Sequence, residues 1–260
     1  MPAKAPTPKA ADKPSREIAR LLRDAINGGE LSPGAKLPSE RELAESHGVA
    51  RNTAREAIRL LTQEGLVQPE HGRGVFVRVR PKLMRFGRRR YSRAMRQSGL
   101  SPFRAEVIAQ GRTPDTECRS VTRISAPGEV AERLEIPAGT DVVRRENWYY
   151  ADGEPMQVGT TYSPWAIVEG SPIADTKKMG HGSIYGRFEE LGYPIAYVRE
   201  EISARMPTHE EAAGLSLPDG VPVIDLWHTG MDDRRRPFEV TRFVMRADFT
   251  ALDYDMPVED

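Results

Sequence analysis

The residues whose chemistry is easiest to interpret lie in the first third of the chain. A helical pattern that starts near Arg51 places four polar side chains in its first turn, namely Arg51, Asn52, Thr53 and Arg55. Arginine can donate two hydrogen bonds to a guanine edge, asparagine can do so to adenine, and a threonine hydroxyl can bond a phosphate. A solvated amphipathic helix would show the same stripe, so the neighbouring elements must decide between the two interpretations.

A glycine-rich basic turn follows this helix. Two short β-prone runs flank His71, Gly72, Arg73 and Gly74, which predicts a hairpin. Glycine lets a backbone approach a nucleic-acid groove closely, and an arginine suits the negative potential of the minor groove. Helix and turn together therefore predict DNA contact.

Two further helical patterns precede these residues and position them. The first carries an apolar stripe from Ile18 to Ile26, with Ser15 as its predicted N-cap. The second starts at Ser39, whose spacing to Glu42 predicts a capping box. The order of helix, turn, arginine-faced helix and hairpin is that of a winged helix-turn-helix. The predicted DNA-facing set is completed by Ser39, Arg41 and Arg59.

Charge is distributed unevenly along the 260 residues. Residues 1–98 contain 21 Lys and Arg against 10 Asp and Glu, whereas the remainder contains 17 against 28, and the net charge of the whole chain is zero. A basic half attracts polyanions, although chance clustering of solvated charges would give the same count. We expect the basic connector, with Arg88, Arg89 and Arg90 at its centre, to hold phosphates without regard to base sequence.

Composition excludes several classes of protein. The single cysteine, Cys118, excludes an intramolecular disulfide and a thiolate metal cluster. No apolar run approaches the roughly 20 residues that cross a bilayer, and residues 1–13 lack the apolar region of a secretory signal. No motif for a catalytic nucleophile, a metal or a phosphate loop occurs. We therefore predict no catalytic residue, metal or cofactor, and a cytoplasmic location.

The chain divides into four predicted segments. These are a disordered tail (1–13), a winged-helix domain (14–78), a basic linker (79–98) and a C-terminal domain (99–255). The last contains a repeat at an offset of 81, in which the stretch from Glu129 to Val142 matches that from Glu210 to Val223. Each copy predicts a helix, a Pro-x-Gly turn and two strands, so we expect an α+β domain on an antiparallel sheet. The two copies enclose a cleft or serve only as a scaffold.

Several of these segments resemble a known family. The runs 37–44, 49–57 and 72–77 resemble the GntR family of bacterial transcription regulators, except that Ala50 stands where the family usually has serine. The remainder is similar to the UTRA effector domain of the HutC-like subfamily, on the runs 152–155, 183–185 and 217–223 and on Arg246-x-Asp248. The resemblance implies a homodimer on a palindromic operator in double-stranded DNA. It also implies a ligand pocket in a C-terminal domain with a chorismate-lyase-like fold.

Departures from the family bear on the ligand. Relatives that respond to sugar phosphates usually carry an Arg-x-Arg pair where this chain has Asn147 and Tyr149. Gly159 replaces a glutamate and Met245 replaces a tyrosine. Because bidentate phosphate recognition needs fixed, charged donors, we expect an uncharged or weakly polar, partly aromatic or acyl-like effector. The predicted effector set is completed by Ser183, Tyr185, Glu239 and Arg246.

The sequence thus predicts a dimeric regulator whose operator binding is modulated by a small molecule. We favour a repressor over an activator. Two alternatives remain. In one, Tyr149 and Met245 fill the cavity and the repressor has no ligand. In the other, the protein is a lyase-like enzyme whose basic half docks on nucleic acid; this fold-level analogy lacks any catalytic pair in the sequence to support it.

Overall fold

The structure of the chain is a computed structural model that describes residues 13–70, 72–79, 83–86, 90, 99–175 and 183–256. The tail 1–12, His71, and most of the basic connector, including Arg88 and Arg89, lie outside the described residues. The chain divides into two compact units between Arg80 and Pro81. The short stretch Pro218–Val221 is the exception, because it is grouped with the N-terminal unit. No helix in the described ranges is long and apolar enough to span a membrane.

The N-terminal unit has the predicted winged-helix order. Its elements are α1 (Pro14–Asn27), α2 (Glu40–His47), α3 (Arg51–Gln63), β1 (Val67–Glu70) and β2 (Gly74–Val77). β1 and β2 pair antiparallel, with Val67 opposite Val77. One apolar cluster connects the three helices to the hairpin, through Ile18 of α1, Leu43 of α2 and Leu61 of α3. Because the apolar face of α3 is buried in this core, its polar face is turned outward.

Helix caps explain where these helices begin. The predicted capping box is confirmed: the Glu42 N–H donates to Ser39 Oγ at 3.2 Å, and the Ser39 N–H donates to Glu42 Oε2 at 2.7 Å. The predicted cap at Ser15 is wrong, because α1 already begins at Pro14 and Ser15 lies buried in its first turn. Proline at the first helical position is pre-set for the helix. Ala50 gives α3 no side-chain cap.

The C-terminal unit is built on a six-stranded antiparallel sheet. Its strands are β4 (Pro114–Ser125), β5 (Asp141–Ala151), β6 (Glu154–Pro164), β7 (Tyr197–Arg205), β8 (Val223–Met231) and β9 (Pro237–Arg246), in the spatial order β4-β5-β6-β9-β8-β7. A separate parallel pair is formed by β3 (Leu83–Phe86) and β10 (Thr250–Asp253). The α+β class predicted from the sequence is therefore confirmed.

The internal repeat corresponds to two β-α-β-β units. The α-helices described in this unit are α4 (Pro102–Ala109), α5 (Gly128–Leu134), α6 (Trp165–Val168), α7 (Ile184–Glu190) and α8 (His209–Gly214). One copy runs β4-α5-β5-β6 and the other runs β7-α8-β8-β9. They meet in the middle of the sheet, where β6 pairs antiparallel with β9 and Thr161 lies opposite Thr241.

The two faces of the sheet have different roles. On one face, α5 packs on Val142 and α8 packs on Trp148. Alternation along β5 turns Val143 and Tyr149 to the other face, where α6 and α7 pack near Val143 and α4 packs near Tyr149. A cavity opens on this second face.

Gly159 of β6 lies where two aromatic rings converge on this face. A Cβ atom at residue 159 would lie 2.8 Å from Phe243 Cε1 and 3.1 Å from Tyr149 Cε2. The rings thus occupy the space that a side chain would need.

We therefore expect Gly159→Ala to lower the free energy of unfolding by about 1–3 kcal/mol, the usual cost of overpacking. Urea denaturation measures it. Gly128→Ala is the control, because a Cβ there meets nothing within 4 Å. Phe243→Leu should restore part of the loss in the Gly159→Ala background. Equal stability of the two alanine variants would contradict the packing argument.

Candidate nucleic-acid interface and ligand cavity

The first turn of α3 presents two arginines that are already oriented. The side chains of Arg51 and Arg55 are 67% and 58% exposed, and both pair with Glu40 at the start of α2. Arg55 makes a two-pronged contact, with Nε and Nη2 each 2.9 Å from a Glu40 oxygen, and Arg51 Nε lies 3.1 Å away. The hydrogen bond from Arg55 is the main reason that the pKa of Glu40 is lowered. An ionised Glu40 thus holds both guanidinium groups on one exposed face.

The other predicted DNA-facing residues of the helices differ in their surroundings. Asn52 is exposed and Thr53 is half-buried beside the arginines. Arg59 is engaged with Glu56 on its own helix, at 2.6 and 2.7 Å. Arg41 is largely exposed and lies 3.8 Å from Glu45, whereas the Ser39 oxygen accepts the capping hydrogen bond. Their contacts with DNA remain predictions.

The turn between β1 and β2 requires glycine. Gly72 has a φ of 72° and Gly74 has a φ of 121°. Residues with a Cβ atom rarely adopt these backbone conformations. Between them Arg73 is exposed, 2.5 Å from Glu70 and with its guanidinium 5.4 Å from the centre of the Phe76 ring. The turn therefore presents a cation on a tight, glycine-flanked tip, as predicted for a wing.

Arg90 corrects the prediction for the basic connector. It is buried, and its Nη1 lies 2.6 Å from Glu106 Oε2, itself buried in α4. A guanidinium paired inside the protein cannot serve as a surface contact for phosphate. The prediction of a phosphate-binding run is therefore wrong at Arg90.

A cavity of about 490 Å³ lies on the second face of the sheet, beneath the start of α4 and beside α7. Amide and hydroxyl groups line it, among them those of Asn147, Gln157, Thr161, Thr241 and Tyr185. Aromatic rings come from Phe103, Tyr149 and Phe243, and cations from Arg90, Arg104 and Arg145. Among the described residues no carboxylate lines the cavity.

Three of the predicted effector residues line this cavity: Asn147, Tyr149 and Tyr185. Tyr149 packs edge-on against Phe103, with ring centres 5.1 Å apart. Burial raises the pKa of Tyr149 to about 12, so its hydroxyl is protonated at neutral pH. A neutral phenol is thus the group at one of the two positions where the family resemblance implies arginine for recognition of a sugar phosphate.

The other five predicted effector residues do not line the cavity among the described residues. Gly159 is covered by Tyr149 and Phe243, and Met245 is buried with Leu226 and Phe243. Ser183 caps α7, with its Oγ accepting from the Gly186 N–H at 3.1 Å. Arg246 pairs with Asp248 at 3.1 Å and stacks over Phe249. The fifth residue, Glu239, is fully buried behind the cavity floor.

Glu239 belongs to a buried polar network that reaches the cavity. One of its oxygens accepts a hydrogen bond from the Thr241 hydroxyl, and the other lies 3.5 Å from His228 Nε2. His228 Nε2 also lies 3.1 Å from the Tyr185 hydroxyl. Burial raises the pKa of Glu239. Thr241 and Tyr185 therefore connect this carboxyl group to the cavity, although Glu239 itself does not reach it.

The network continues away from the cavity. His228 Nδ1 lies 3.4 Å from Glu200, which also pairs with Arg85 of β3 at 2.8 Å and accepts from the Tyr254 hydroxyl. Burial alone would raise the pKa of Glu200, but the hydrogen bond from His228 and the charge of Arg85 hold it well below its usual range. Glu200 is therefore ionised at neutral pH.

Sequence reasoning missed Arg145, the most buried cation of the cavity. It is 2% exposed and lies on β5, on the same face as Asn147 and Tyr149. Its Nη1 donates to the carbonyl oxygens of Ile173 at 3.2 Å and Asp175 at 3.5 Å. The alternation of β5 carried the signal, since Arg145 precedes Asn147 by two residues. Arg145 adds a buried positive charge to a cavity for which the sequence predicts an uncharged effector.

Comparisons with known proteins agree with this architecture. Residues 14–77 match the gntR family of bacterial regulatory proteins and residues 109–250 match the UTRA domain. A helix-turn-helix-type transcriptional regulator of Streptomyces coelicolor is 33% identical, with 93% of this chain and 94% of that protein covered. The transcriptional repressor NagR of Bacillus subtilis is 29% identical, with 92% and 93% covered.

Solved structures lead to the same family. The crystal structure of a GntR-family transcriptional regulator superposes with a TM-score of 0.66 at 30% identity, with 95% of this chain and 99% of that chain covered. PhnF from Mycobacterium smegmatis, at 24% identity, shares the fold with a TM-score of 0.59 and coverages of 93% and 100%. The winged helix, the six-stranded effector domain and these relatives together show that the chain belongs to the GntR family of helix-turn-helix transcription regulators, in the group that carries a UTRA domain.

Proposed function

We propose that this protein is a homodimeric repressor that binds a palindromic operator and releases it when a small molecule occupies the cavity of the UTRA domain. The observation that carries the DNA part is the oriented pair Arg51 and Arg55 on the exposed start of α3. Arginine forks held by a carboxylate need little further ordering to meet a guanine edge. NagR of Bacillus subtilis is named a transcriptional repressor, which supports the same sign of regulation here.

The cavity supports the effector part of the proposal. A volume of about 490 Å³ is within the range of small-molecule sites. Tyr149 and Met245 leave this space open, which argues against a repressor without a ligand. An effector can change operator affinity only if it binds the DNA-bound and DNA-free arrangements with different affinity. The cavity gives the effector a place to do so.

We infer further that the cavity prefers an effector other than a sugar phosphate. An amide and a neutral phenol, Asn147 and Tyr149, stand where two guanidinium groups would bind phosphate. Phe103 and Phe243 add apolar surface beside them. These contacts favour a ligand with an aromatic or acyl body.

The cavity gives little support to the enzyme alternative. No carboxylate or histidine lines it among the described residues, and burial raises the pKa of the Cys118 thiol. A general base or an activated nucleophile is what acid–base or covalent catalysis would need. We therefore favour a regulator over an enzyme. Because its target is operator DNA, we place it in the cytoplasm, associated with the nucleoid through its operator.

Selection of bound duplexes from a random double-stranded library tests the proposed function. The full chain should enrich a palindrome whose half-sites lie about one helical turn, or a multiple of it, apart. Binding should weaken steeply with salt, because phosphate contacts release counterions. A bound pool in which no sequence is enriched over the starting library would contradict specific operator binding.

Arg55→Ala tests base reading. We expect loss of about 1–3 kcal/mol of discrimination between the selected operator and scrambled DNA, measured by gel shift. Arg20→Ala is the matched control, because it removes an exposed arginine of α1 whose described ion-pair partner is Asp24. If Arg55→Ala kept the specificity ratio of the wild type, α3 would not be the recognition helix.

Dimerisation is tested by sedimentation of the full chain and of the fragment 81–260. A single winged helix buries too little surface for high operator specificity, so we expect two copies joined through the C-terminal domain. Both samples should sediment as dimers at micromolar concentration. A monomeric full chain would refute the homodimer, and a monomeric fragment would place the dimer contact outside the C-terminal domain.

A further inference from the structure

We propose that the effector is an organic monocarboxylate with an aromatic or acyl body, and that its carboxylate pairs with Arg145 in the cavity. This inference rests on the proposed role of the cavity as the effector site. It replaces the uncharged ligand expected from the sequence with a singly charged one.

The first support is the charge of the cavity. Three arginines line it, and no carboxylate does so within the described ranges. Arg90 is compensated by Glu106 at 2.6 Å. Arg104 is half-buried in the first turn of α4. The field inside the cavity therefore favours an anion.

The second support is that Arg145 is buried and has no ionic partner in the part of the chain that the structure describes. Only 2% of it is exposed, and no carboxylate of the described residues lies within 4 Å of its nitrogens. The segments 80–98 and 176–182, which include most of the undescribed internal residues, contain no Asp or Glu at all. A buried guanidinium is costly unless a counter-charge accompanies it. A ligand carboxylate would supply that charge.

The surroundings of Arg145 favour a singly charged carboxylate over a doubly charged phosphate. Nη1 is already engaged with two backbone carbonyls, while Nε is buried without a hydrogen-bond partner among the described residues. The edge formed by Nε and Nη2 matches the two oxygens of one carboxylate. A phosphate dianion could use the same edge, but beside Arg145 along β5 its second charge would meet only the amide of Asn147 and the neutral phenol of Tyr149.

The remaining lining indicates the body of the ligand. Phe103, Tyr149 and Phe243 form an aromatic wall on the same side as Arg145, and Tyr149 is in contact with the other two rings. Gln157 and Thr161 offer hydrogen bonds but no charge. A volume of about 490 Å³ exceeds that of a bare carboxylate. An aryl or acyl chain attached to it would fill the remaining space.

Calorimetric titration of the full-length protein tests the proposal with three carboxylate probes: benzoate, 3-phenylpropionate and decanoate. Each is compared with its primary amide, which keeps the body and removes the charge, and glucose 6-phosphate is the phosphorylated sugar. We expect at least one carboxylate to bind at least about tenfold more tightly than its amide. Glucose 6-phosphate should bind more weakly than that carboxylate.

Variants at Arg145 locate the effect. Arg145→Met should lower the affinity for the best carboxylate by at least about tenfold and leave the affinity for its amide nearly unchanged. Arg145→Lys keeps the charge without the fork and should fall between the two. Arg144→Met is the control, because Arg144 lies on the opposite face of β5 and pairs with Glu146. Thermal melting checks that each variant is folded. If Arg145→Met does not fold, the affinity of Arg145→Lys for the carboxylate decides the question.

Several outcomes would overturn the inference. They are failure of all three carboxylates to bind, an amide that binds as tightly as its acid, tighter binding of glucose 6-phosphate, and an affinity for the best carboxylate that is unchanged in the Arg145 variants. Failure of the proposed function looks different. A carboxylate that binds through Arg145 without altering operator affinity would leave this inference standing and remove the regulatory role of the site.

Discussion

The effector domain depends on the antiparallel pairing of β6 with β9. These two strands join the two β-α-β-β copies into one sheet, so neither copy has to end in the middle of the domain with an unpaired edge. At the centre of the pair, the hydroxyls of Thr161 and Thr241 lie 2.7 Å apart and are buried. Both residues line the cavity. The seam that holds the domain together is thus part of the surface that a ligand would touch.

A buried polar network extends from this seam to the start of the domain. Thr241 donates to Glu239, which lies beside His228, and His228 lies beside Glu200. Glu200 pairs with Arg85 of β3, and β3 is the strand that follows the boundary between the two units in sequence. Buried polar groups are costly unless they are partnered, so a shift of one group at the cavity must be accommodated by its neighbours. The network therefore gives the cavity floor a physical connection to β3.

Much of the architecture could be predicted from the sequence because it depends on local signals. The capping box of Ser39 and Glu42, the glycines around Arg73 and the helical stripe of α3 each depend on residues a few positions apart. The repeat at an offset of 81 predicted both copies of the helix and its two strands. Ser15 failed as a cap because Pro14 gave the chain an earlier helix start, a competition between two local signals.

The cavity was less predictable because its residues come together through long-range packing. Asn147 and Tyr149 were found through the family pattern, but Arg145 stands outside that pattern and is visible only when the face of β5 is followed residue by residue. Phe103 comes from α4, and no local sequence pattern indicates that this helix packs on the sheet. Arg90 was assigned to a basic connector that holds phosphates, and no local signal indicated its burial against Glu106.

If effector and operator influence each other through one protein, each must change the affinity of the other by the same factor. The measurement is the affinity of the full chain for its best carboxylate probe, with and without saturating operator duplex. We expect operator to weaken ligand binding by the same factor by which ligand weakens operator binding, about 5- to 150-fold. An identical ligand affinity in the presence and absence of operator would contradict it.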